Sequence, residues 1–123
     1  MLSNKDINIL GNITDNTYKS GDGVVSITSS LQGQELTVKY ATIVHFASED
    51  ALRQQVDRYA QESVQRISSY VADTKSKFKE ESGSALKLEQ VGDKDHVELI
   101  SATANSLRRV AYYRRQCRFI VNN

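Results

Sequence analysis

From Leu36 to Phe46 the side chains sort by alternate positions. Leu36, Val38, Tyr40, Thr42, Val44 and Phe46 fall on one face, and Thr37, Lys39, Ala41, Ile43 and His45 on the other. A period of two marks a β-strand with one well-buried face and one mixed face. Upstream, Ile7, Ile9, Leu10 and Ile13 form a short apolar run that reads as a first strand. Gly21-Asp22-Gly23 follows as a turn, with residues that tolerate positive φ. The β-branched Val24-Val25-Ser26-Ile27-Thr28 predicts a second strand, and Gln32-Gly33-Gln34 the turn into the third.

At Ser48 the period changes. Ser48 is a good N-cap, and Glu49 and Asp50 put negative charge on the first helical turn. No glycine or proline interrupts from there to Glu81. Leu52, Val56, Tyr59, Ala60, Val64, Ile67, Tyr70, Val71 and Phe78 recur at spacings of three and four, which is one face of an amphipathic helix over about 49–81. Gly83 supplies a left-handed C-terminal residue.

The pattern then returns to strands over about 85–121. Leu86 and Leu88 alternate with Lys87 and Glu89, Gly92-Asp93-Lys94-Asp95 reads as a hairpin turn, and Val97 and Leu99 lie on the return strand. Ala104-Asn105-Ser106 connects to a long last strand, Leu107 to Val121. The expected architecture is one α+β domain over 1–123. It has about six largely antiparallel strands in the order β-β-β-α-β-β-β, packed on one long helix.

The helix strains that picture. At 1.5 Å per residue it would span about 50 Å, whereas a domain of this length has a diameter of about 35 Å. It should break, project, or find cover outside its own sheet. Tyr59, Ile67, Tyr70, Val71 and Phe78 are therefore the expected oligomer interface. Terminal hairpins would also leave open sheet edges, which proteins pair, cover or charge.

Composition narrows the function classes. Of 123 residues, 39% are hydrophobic and 25% charged, which is ordinary for a globular chain. The net charge of +1 gives the whole molecule no strong pull toward nucleic acid or membrane. The charge is unevenly placed, however. Residues 105–123 hold Arg108, Arg109, Arg114, Arg115 and Arg118 and no acid, leaving 11 basic and 15 acidic residues elsewhere. On the last strand Arg108, Tyr112, Arg114 and Arg118 share a face. Such a stripe could hold phosphates with Tyr112 stacked on a base, or pair with carboxylates of a protein partner. The plainer reading is a solvated sheet face balanced by Glu89, Asp93, Asp95 and Glu98 of the neighbouring hairpin.

Catalytic material is sparse. His45 ends a strand. Asp93-x-Asp95-His96 could ligate a cation in a turn but lacks the rest of a calcium loop. Cys117 is the single cysteine, so no intramolecular disulfide can form. No nucleophile elbow or phosphate loop is present. No metal, cofactor or enzymatic activity is expected, and no membrane partner either, since no apolar run approaches the ~20 residues of a span. With no apolar leader at Met1–Asp6, the chain is expected to be made and kept inside the cell. At the level of fold alone, paired strands flanking one helix are similar to subunits of rings and shells, including virus and phage particles. The expectation is a non-enzymatic structural protein that self-associates with copies and other subunits of a larger particle, a virion or bacteriophage component. The alternative is a nucleic-acid-binding module using the last strand.

Overall fold

The alternation in residues 35–46 is realised as drawn from the sequence. In the structure, a computed structural model that describes residues 2–14, 17–20, 24–101 and 109–122, Leu36, Val38, Tyr40, Thr42, Val44 and Phe46 are all buried. They face two helices on one side of an antiparallel sheet. The elements run α1 (Asn4–Thr14), β1 (Thr17–Lys19), β2 (Val25–Gln32), β3 (Glu35–Phe46), α2 (Glu49–Ser82), β4 (Lys87–Ser101) and β5 (Arg109–Asn122). The five strands lie side by side as β1-β2-β3-β5-β4, every neighbouring pair antiparallel. The class is α+β with one long helix, as expected.

Two segments fold differently from their sequence reading. The apolar run Ile7, Ile9, Leu10, Ile13 is helical, not a strand. Ile7, Leu10 and Thr14 are spaced three and four apart, and Leu10 and Thr14 are buried. Ser3 caps this helix: its hydroxyl accepts the Asp6 N–H at 3.2 Å, so the Ser-x-x-Asp start works as a capping motif. The second correction is at Gly92-Asp93-Lys94-Asp95. No hairpin turns there; β4 runs through it as one strand, with a β-bulge between Gln90 and Gly92. A single extra residue absorbs the glycine without reversing the chain. The expected turn at Gly21-Asp22-Gly23 and the connection at Ala104-Asn105-Ser106 lie outside the described residues.

The other boundaries follow their local signals. Gly33 at φ 61° makes the tight turn that sets Gln32 opposite Glu35. The Ser48 hydroxyl accepts the Ala51 N–H at 3.1 Å, and Gly83 at φ 74° returns its N–H to the Lys79 carbonyl at 2.8 Å.

The long helix stays continuous over its 34 residues. It neither breaks nor needs an outside partner to cover its length, because the sheet is elongated too. At about 3.3 Å per residue, the 14-residue β5 spans roughly 46 Å, close to the roughly 50 Å of α2. The 35 Å figure assumed a sphere, and this molecule is a slab. α2 runs back over β3 and β5, and α1 lies beside it against β2. The main core joins Leu2, Leu10, Ile27, Leu36, Val38, Tyr40, Ile67, Phe78, Tyr113, Phe119 and Val121 between these layers. A smaller cluster, Val44, Phe46 and Ala111, sits under Leu52 and Tyr59 at the start of α2. Among the described residues no helix lies on the opposite face of the sheet. β4 lies beyond the edge of the helix layer.

Candidate interaction surface

The apolar stripe of α2 is used inside the molecule. Ile67 and Phe78 are buried in the chain's own core, and Tyr59, Tyr70 and Val71 pack partly buried against it. The expectation that these five form an oligomer interface is corrected for Ile67 and Phe78, which have no surface left to offer. Tyr70 is also committed: its hydroxyl meets Ser29 of β2, which in turn donates to the Thr14 carbonyl ending α1. Three elements are pinned at that point. Sequence periodicity correctly marked the buried stripe but could not say whose surface buries it.

β5 lies inside the sheet, between β3 and β4, and its two faces differ. Ala111, Tyr113, Cys117, Phe119 and Val121 turn toward the helices and are buried. Tyr112, Arg114 and Arg118 lie on the open face; Arg108 is outside the described residues. Each arginine described on that face meets an acid. Arg114 approaches Glu98 of β4 at 3.5 Å and also lies over the Tyr112 ring at 5.9 Å, while Arg118 approaches Glu35 of β3 at 3.6 Å. These are half-exposed pairs, each worth about 0–1 kcal/mol. Their effect is local neutralisation, which weakens the stripe as a phosphate track.

Arg115 points the other way. Its Nε lies 2.9 Å from Asp95 Oδ1 and its Nη2 donates to Oδ2 at 3.0 Å, a two-pronged contact. Tyr113 adds a hydroxyl donor to Asp95 Oδ1 at 3.2 Å. The Arg115 side chain is only 11% exposed, unlike the arginines on the open face, while Asp95 itself is half-exposed. The pair fastens β4 to β5 beside α2.

The candidate chemical groups are dispersed. His45 is exposed on the open face at the end of β3. Asp95 and His96 occupy successive positions of β4 and so opposite faces, which removes the convergence that a cation loop would need. Cys117 is buried on the helix side. Among the described residues no cluster of three or more His, Cys, Asp or Glu could hold a metal ion. Tyr40 titrates well above its ordinary range. Burial pushes its phenol up to about 12, Glu62 adds to this, and Thr42 and Arg66 oppose it. It lies wholly inside and edge-on to Tyr113 at 6.3 Å, as a packing group.

The exposed apolar surface gathers at β4. Val91, Val97 and Leu99 on this strand are 52%, 39% and 49% exposed. A groove of about 370 Å³ runs between α2 and strands β5 and β4, lined by Val64, Ile67, Val71, Gln90, Cys117 and Phe119 among others. Val64 on its wall is itself exposed. Among the described residues no strand pairs with the outer side of β4, so a 15-residue edge presents alternate backbone N–H and C=O groups outward. The other edge, β1, has only three residues. Sequence reading missed this surface because it split β4 into a hairpin, which would have placed half of it inside the sheet.

No helix among the described residues is long and apolar enough to cross a membrane. Comparison with protein-family models, with curated proteins and with solved structures gives no match for this chain.

Proposed function

We propose that the chain is a non-enzymatic structural subunit of a larger ring- or shell-like particle, and that one of its subunit contacts is made by extension of its sheet at β4. The observation that carries this reading is the long, helix-free edge of β4, bearing Val91, Val97 and Leu99 in the open. Proteins blunt such edges or use them, because an unpaired flat strand is a template for another strand. This edge is neither shortened nor broken by proline. The scattered placement of His45, His96 and Cys117 gives no support to a catalytic reading. The ion pairing of Arg114 and Arg118 favours a protein partner over nucleic acid.

The test is sedimentation of the chain in extracts of the cells that produce it. The chain should travel in a high-mass fraction, and a Val97→Glu, Leu99→Glu variant, altered only at exposed positions, should move to the free fraction. A wild-type chain that sediments as a free 13.8 kDa species would overturn the reading.

A further inference from the structure

We infer that the partner at this edge is a second copy of the chain, joined β4 to β4 in antiparallel pairing about a two-fold axis at His96. The inference rests on the edge-assembly reading above and names the occupant. Length argues for a copy: among the described residues only another β4 offers an open edge of comparable extent, the opposite edge being the three-residue β1. An isologous contact of this kind closes on itself as a dimer.

The bulge and the charges fix the register. The bulge at Gln90/Gly92 ends the regular ladder on one side, so the flat part of the edge runs over 92–101. A two-fold near its middle gives the longest overlap. Centring on His96 sets Lys94 opposite the second copy's Glu98, twice by symmetry, on the open face of the sheet. Centring on Lys94 or Asp95 instead sets like charges against each other at the axis, which is destabilising for directly opposed residues. Centring on Val97 gives an overlap of the same length but separates Lys94 from Glu98. In the His96 register the two Val97 side chains become diagonal neighbours on the helix side, within reach of each other.

Three measurements on the purified chain test this. Light scattering should give twice the 13.8 kDa of one chain. Lys94→Glu should weaken the dimer at least about tenfold by opposing two acids, and Lys94→Glu combined with Glu98→Lys should restore it, because opposite charges again face each other. His96→Cys should form an inter-chain disulfide under mild oxidation, since directly opposed strand residues bring their Cα atoms within about 5.5 Å, and the native Cys117 is buried. A monomer at every soluble concentration, a dimer indifferent to Lys94→Glu, or a dimer that fails to crosslink through His96→Cys overturns the inference. A pure monomer whose chain nevertheless sediments at high mass in extracts would overturn this pairing and leave the assembly reading standing. A chain that is free in both settings removes both.

Discussion

Two side chains show how burial, more than charge count, decides what an interaction is worth here. Asp95 and Glu98 both face arginines across the same strand pair, but Arg115 is largely withdrawn from water and Arg114 is not. Removing Asp95 takes two contacts from a guanidinium that has already lost much of its hydration. Asp95→Ala should therefore cost about 1–3 kcal/mol in urea unfolding, whereas Glu98→Ala should cost about 1 kcal/mol or less. Equal losses would contradict the assigned difference in burial. Tyr40 carries a second residue-scale signature. The fold holds its neutral phenol, whose pKa is raised from 10.0 to about 12. The folded state keeps this proton where the unfolded chain has begun to release it. The resulting stability is complete below pH 10 and is lost as pH rises from about 10 toward about 12. Tyr40→Phe should flatten the alkaline fall in unfolding free energy over that window relative to wild type, and parallel curves for the two proteins would contradict the assignment.

At the scale of elements, the readable parts were those whose ends carry their own chemistry. α2 is legible because Ser48, Glu49, Asp50 and Gly83 mark its limits and the spacing of its apolar residues admits one reading. Gly83 is a clean case, since a Cβ there would meet no neighbour and only the backbone angle of 74° resists substitution. Gly83→Ala should destabilise by about 1 kcal/mol through that angle alone, measured by thermal or urea unfolding. β3 is legible for the same reason as α2, an uninterrupted period. The first helix was not, because four apolar residues in seven fit both periods. The deciding signal was the polar Ser3-x-x-Asp6 start, outside the apolar run. β4 misled in the opposite direction. Glycine beside aspartate is common in turns, but here it occupies a bulge within a strand held by pairing to β5 over its whole length. Tertiary pairing overrode a local preference.

For the molecule as a whole, the class could be read but the arrangement could not. Strand order depends on which edges meet, and nothing in residues 109–122 announces that they lie between β3 and β4. The same gap affected the candidate site. The stripe on α2 was seen and given to a partner, whereas its Ile67 and Phe78 lie in the chain's own core; the edge that is open was hidden by a misplaced turn. The arginines were placed on their correct faces, yet the acid meeting Arg118 comes from β3, far away in sequence. The interior position of β5 also bears on how the protein is made. A ribosome delivers α1 through β4 before the strand on which β3 and β4 both depend, so during synthesis each waits with a bare flank for a segment still to come. The β2–β3 hairpin can form locally, but closing the sheet joins residues as distant as Glu35 and Ile120. The nascent chain is thus most prone to misassociation just before residues 109–122 emerge, and slow decoding or premature release there would free a sheet missing the interior strand that joins β3 to β4.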